Sequence, residues 1–116
     1  MTTIYHNPRC SKSRQCLAIL EEHKEDLEIV KYLDTPLTKE KLSEIVDLLQ
    51  IEPIDLVRKN EAVWKENYKG KDLSNEEAIS VMIENPKLIE RPIVIKNGKA
   101  IIGRPPEKVI ELLLNL

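Results

Sequence analysis

The stretch His6-Asn7-Pro8-Arg9-Cys10-Ser11-Lys12-Ser13-Arg14 gathers a histidine, two arginines, a lysine and two serines around one cysteine. A short β-branched and aromatic segment, TTIYH, precedes it and ends at Asn7-Pro8. A run free of Gly and Pro follows from Ser11. Cys10 is thus expected between a strand end and a helix start, close to unpaired backbone N–H groups and the positive end of a helix dipole. Both favour a thiolate over a thiol. Lys12, Arg14, Arg9 and His6 add positive potential, and the Ser11 and Ser13 hydroxyls are placed to donate to the sulfur or its substrate. Cys10 is therefore the expected nucleophile. A cysteine that served only as a small apolar core residue would not be ringed by so many cations.

Cys16, the second of two cysteines, is a poor disulfide partner. Six helical residues rise roughly 9 Å, beyond the ~7 Å Cα limit, and point about 120° apart. Packing beside Leu17 and Leu20 is expected for it instead. Ser13 stands where a CxxC redox motif would carry its second sulfur, so Cys10, if redox-active, must be resolved by an outside thiol.

Arg58 in LVRKNE, Arg91 before Pro92 and Arg104 after Gly103 stand in unusual settings. Taken singly, each reads most simply as a solvated or salt-bridged arginine. Brought together at Cys10, their planar donor forks would clamp a small tetrahedral oxyanion.

The elements that must position these groups read as β-α-β, several helices, then β-β-α. TTIYH (2–6) and LEIVKY (27–32) suggest strands around a helix from about Ser11 to Lys24. Leu42, Ile45, Val46 and Leu49 sit at helical spacing behind a Thr38 cap. Residues 52–68 suggest one or two short helices with Pro53 in a first turn. SNEE at 74–77 has the form of a capping box ahead of Ala78, Ile79, Met82 and Ile83. The apolar runs flanking Asn97-Gly98 predict a hairpin, and Pro105-Pro106 is expected to open a last helix carrying Val109, Ile110, Leu113 and Leu116.

Composition excludes several classes. The 116 residues are of single-domain size, 41% hydrophobic and 33% charged, with net charge −2. No basic tract suggests nucleic acid, no apolar run suggests a membrane span, and MTTIYHNP lacks the character of a secretory leader. Two cysteines are too few for a disulfide framework, which points to a reducing, cytoplasmic setting.

HNPRCSKSR, LVRKNE, ERPIVI and GRPPE, in this order over essentially the whole chain, resemble the glutaredoxin-dependent arsenate reductase family of the thioredoxin-like superfamily. The resemblance implies an α/β, thioredoxin-like fold: one domain over 1–116, a mixed four-stranded sheet and a helical insertion at about 36–88. It implies Pro92 as the structural cis-proline and Cys10 as the catalytic nucleophile. Arg58, Arg91 and Arg104 would bind the oxyanion, with His6, Ser13 and Arg14 in support. The implied chemistry is thiolate attack on arsenic with loss of water, attack by glutathione on the adduct, and reduction by glutaredoxin to release arsenite. Glutathione is then a co-substrate, with no bound cofactor, metal, nucleic acid or membrane, and the chain is expected to act as a monomer. Familiar arsenate reductases of this type follow the cysteine with Gly-Thr, whereas Ser11-Lys12 here puts a bulkier, charged first turn beside the anion cradle.

Two other readings share the outline. Spx-type regulators bind RNA polymerase as a binding module, but typically carry the CxxC that Cys10-Ser11-Lys12-Ser13 lacks. A glutathione-linked thiol oxidoreductase acting on protein mixed disulfides would need only CxxS.

Overall fold

The computed structural model describes residues 1–114, and its chain divides into two compact units: Met1–Thr35 with the chain from Arg91 onward, and Pro36–Glu90. In the first unit β1 (Thr2–Tyr5), α1 (Ser11–Glu22) and β2 (Leu27–Val30) are followed, after the second unit, by β3 (Ile93–Lys96), β4 (Lys99–Ile102) and α5 (Lys108–Leu114). The sheet order is β2-β1-β3-β4, with β1 parallel to β2 and antiparallel to β3, and β3 antiparallel to β4. This is the mixed four-stranded α/β sheet of the thioredoxin-like fold.

Alternation along the strands puts Ile4 opposite Val94 in the β1–β3 register, both fully buried. They form one core with Cys16 and Leu20 of α1 and Val109, Leu112 and Leu113 of α5. Truncating a fully buried leucine such as Leu20 to alanine costs about 2–5 kcal/mol in such a core. Asn97 and Gly98 both take positive φ, 52° and 74°, as the tight β3–β4 turn requires.

The second unit is helical: α2 (Lys39–Leu49), a 3-10 turn at Pro53–Leu56, α3 (Ala62–Asn67), α4 (Asn75–Glu84) and a 3-10 turn at Pro86–Leu88. Thr38 caps α2 by accepting from the Lys41 amide at 3.1 Å. Ser74 and Glu77 close a reciprocal capping box on α4. An antiparallel bridge joins Val57 to Ile89, flanked by Arg58 N–H to the Leu88 carbonyl at 2.7 Å and Glu90 N–H to the Leu56 carbonyl at 2.9 Å.

Four boundaries differ from the sequence reading, the first being β1, which stops at Tyr5 rather than His6. α1 stops at Glu22 because Lys24 turns left-handed, φ 55°. β2 stops at Val30, and the Lys31 carbonyl then accepts from the Asp34 and Thr35 amides in a turn. α5 begins at Lys108 rather than at Pro105, since a residue that precedes proline is pushed out of the helical region, and Pro105 precedes Pro106. The prolines instead receive the Lys108 and Val109 amides on their carbonyls. Leu116, expected on that helix, lies outside the described residues.

Candidate active site

Cys10 is the N-cap of α1, in extended conformation with φ −94° and ψ 122°. The loop that delivers it is shaped by its own sequence. Asn7 Oδ1 accepts from the Arg9 amide at 3.0 Å, and the Asn7 carbonyl accepts from the Cys10 amide at 3.0 Å. Arg14, one turn into α1, donates from Nη1 to the Pro8 carbonyl at 2.9 Å and braces the same loop. At the N-cap, a side-chain acceptor faces the amides two and three residues on. Here those amides belong to Lys12 and Ser13, and the acceptor is the Cys10 sulfur. The sulfur makes no full side-chain cap hydrogen bond, so the two amides act on it as nearby dipoles.

Two arginines from the opposite end of the chain complete the setting. Arg104 Nη2 lies 3.5 Å from Cys10 Sγ, while its Nε donates to the Arg91 carbonyl at 2.9 Å. Arg91 also hydrogen-bonds the sulfur. The Arg91–Pro92 peptide is cis, as is Arg104–Pro105. Cys10 is 9% exposed, and this burial raises a thiol's pKa. The net shift is nonetheless downward, because the Ser13 amide, the hydrogen bond and charge of Arg91 and the Lys12 amide together outweigh it. Cys10 is buried among donors and stands apart from the apolar core that contains Cys16. Cys16 is fully buried, and burial pushes its thiol up to about 12. The two cysteines of one helix are thus opposite in character.

Ser13 and His6 act differently from the sequence reading. The Ser13 hydroxyl bonds His6 Nδ1 at 2.7 Å and accepts from the Asn7 amide at 3.1 Å, so it is the Ser13 amide, not its hydroxyl, that serves the sulfur. Burial, then the charges of Lys31 and Arg14, hold His6 below its ordinary value, with Glu21 pulling the other way. His6 is therefore neutral at pH 7 and lends the sulfur no positive charge. It fixes Ser13, and through it the first turn of α1.

Arg58 lies in the second unit, where its Nη1 meets Glu90 Oε1 at 2.6 Å and its Nε meets Glu61 Oε2 at 3.5 Å. Burial lowers its affinity for a proton, but Glu90 and Glu61 more than compensate, so its charge is secure. The i,i+3 spacing of Arg58 and Glu61 is visible in the sequence. Glu90, 32 residues away, is not. The backbone amides of Lys12 and Ser13 are the unpaired N–H groups that a cysteine at a helix start was expected to meet.

An arrangement of thiolate, amides and guanidinium forks can attack and hold a small oxyanion without a metal ligand set. Among the described residues no group of three or more His, Cys, Asp or Glu side chains could hold a metal ion, and no helix is long and apolar enough to cross a membrane. Residues 5–112 match the model of the ArsC family. The chain is 48% identical to the uncharacterized protein YfgD of Escherichia coli, over 95% of this chain and 94% of that one. It is 43% identical to the arsenate reductase of Haemophilus influenzae, over 95% and 97% of the two chains. It superposes on the arsenate reductase structure from Vibrio cholerae with a TM-score of 0.90 at 45% identity, covering 95% of each. Sequence, fold and family model agree: this chain belongs to the ArsC family of thioredoxin-like proteins.

Proposed function

We propose that the protein is an arsenate reductase that uses Cys10 as its nucleophile and draws electrons from glutathione and glutaredoxin in the cytoplasm. The observation that carries this reading is the pair of guanidinium groups, Arg91 and Arg104, on a sulfur whose pKa is lowered at a helix N-cap. A thiolate held against two cations attracts an anionic target that would otherwise repel it, and the same forks take up the charge that collects on the oxyanion during attack.

In the first step the Cys10 sulfur forms a bond to arsenic, and one arsenate oxygen leaves as water after taking up protons. A glutathione thiol then attacks the adduct, and a glutaredoxin thiol supplies the second sulfur of the disulfide that forms. Arsenic(V) gains two electrons and leaves as arsenite. Overall, arsenate and two thiols become arsenite, one disulfide and water, and Cys10 is regenerated. No second cysteine of this chain is called on, in keeping with the inert thiol of Cys16.

A coupled assay with glutathione, glutaredoxin and an NADPH-linked reductase tests the proposal. Arsenate-dependent NADPH oxidation should vanish in Cys10→Ser. Arg91→Ala and Arg104→Ala should raise the KM for arsenate at least tenfold, while Lys39→Ala, on the exposed start of α2, should not. Arg58, the third arginine named by the resemblance, is tested by Arg58→Ala on the same footing. Turnover that needs a protein mixed disulfide and ignores arsenate would reject the proposal in favour of a general thiol oxidoreductase.

A further inference from the structure

Gly103 follows the last residue of β4 and immediately precedes Arg104. Its φ lies outside the left-handed range that would demand glycine, so its lack of a side chain must answer to space. A Cβ at this position would stand 2.9 Å from Cys16 Sγ, 3.0 Å from Pro92 Cγ and 3.6 Å from Cys16 Cβ. Three segments meet there. α1 contributes Cys16, the segment before β3 contributes Pro92, and the residue after β4 contributes the bare backbone of Gly103.

Each of these segments also delivers a part of the site. α1 carries Cys10 at its N-cap. The Pro92 segment carries Arg91, and the Gly103 segment carries Arg104. Two hydrogen bonds tie the latter two segments together: Gly103 N–H to the Pro92 carbonyl at 2.9 Å and Arg104 Nε to the Arg91 carbonyl at 2.9 Å. Where this tied pair faces α1, the atom nearest to a Cβ built at Gly103 is Cys16 Sγ.

We propose that the close approach of Cys16 and Pro92 to the bare Cα of Gly103 is the spacing that seats Arg91 and Arg104 against Cys10, making Cys16 and Gly103 positioning residues of the site. Cys16 fits this task as a small, fully buried, protonated side chain with no redox work of its own. Interiors pack too densely to absorb an added methyl without movement. A side chain at 103 must therefore lift the segment after β4 off α1, and Arg104, one residue away, holds the sulfur at 3.5 Å. Charge-assisted hydrogen bonds weaken steeply with such displacement.

The inference rests on Cys10 being the working thiolate, but not on arsenate being the substrate. It is tested by the pH dependence of Cys10 alkylation by iodoacetamide, followed by mass spectrometry in the intact protein. Gly103→Ala should raise the midpoint by about half a pH unit or more. Adding Cys16→Ala, which removes the nearest atom, should recover at least half of that shift. Leu42→Ala, which opens a cavity beside α2 in the second unit, should leave the midpoint unchanged. If Gly103→Ala does not fold, Cys16→Val presses the same contact from the helix side, and its midpoint should rise likewise. A folded Gly103→Ala or Cys16→Val with the wild-type midpoint, or a double variant no better than Gly103→Ala, overturns the proposal. A wild-type midpoint at the ordinary thiol value would instead overturn the thiolate reading beneath it.

Discussion

Arg104 and Cys10 are 94 residues apart in the chain, yet Nη2 of one lies 3.5 Å from the sulfur of the other. The antiparallel β3–β4 hairpin makes this possible, because it carries the chain out from Arg91 and returns it to Arg104 beside its starting point. β1, paired with β3, delivers the loop that ends at Cys10. The sheet therefore brings nucleophile and cations to one end of the first unit.

The two arginines should differ in their hold on the sulfur. Arg91 lowers the Cys10 pKa by both hydrogen bond and charge, whereas Arg104 makes a long contact and spends its Nε on the Arg91 carbonyl. Arg91→Ala is expected to raise the Cys10 alkylation midpoint by about one pH unit, and Arg104→Ala by less. The reverse order would show that Arg104 is the principal partner.

Ser13 separates backbone from side-chain effects. Ser13→Ala keeps the amide that faces the sulfur but strips His6 and the Asn7 amide of their buried partner. It should cost about 1–3 kcal/mol in urea unfolding while leaving the Cys10 midpoint within a few tenths of a pH unit. A large midpoint shift at unchanged stability would assign the hydroxyl, not the amide, to the sulfur.

Much of this architecture was legible in the sequence, for local reasons. Asn97-Gly98 can supply the two positive φ values of a tight hairpin, Thr38 and Ser74-Glu77 can cap their helices, and both do so. The charge around Cys10 was legible because the loop is contiguous. The functions of individual polar groups were not, since they depend on neighbours distant in sequence. The charge state of His6 is set by burial and by Lys31, and Arg58 is paired with Glu90. Tandem prolines misled the reading of α5 because a good first-turn residue also restrains the residue before it.

Cys16 predicts a pH dependence of stability. Its folded pKa is raised to about 12 by burial, so the unfolded chain loses this proton first as pH rises. The contribution is intact below the ordinary thiol value of about 8.5 and is lost as pH climbs towards 12. Cys10 has the opposite sign: with its folded pKa depressed, its contribution is full above the ordinary value and is lost as pH falls through the folded one. In a Cys10→Ser background, Cys16→Ala should therefore flatten the alkaline decline in urea midpoint. An unchanged decline would mean that Cys16 is not protonated in the folded state.

Glu90 should stabilise the second unit through Arg58. The pair is partly buried and 2.6 Å apart, with side-chain exposures of 12% and 26%. Glu90→Gln is expected to cost about 2 kcal/mol in chemical unfolding. A change below about half a kcal/mol would place this pair with weak surface bridges.

The account stands most directly on the ionisation of one sulfur. Ultraviolet thiolate absorbance, recorded against pH as wild type minus Cys10→Ser, reads that ionisation alone. The account predicts a single midpoint clearly below the ordinary thiol value of about 8.5. A midpoint at or above that value would contradict it.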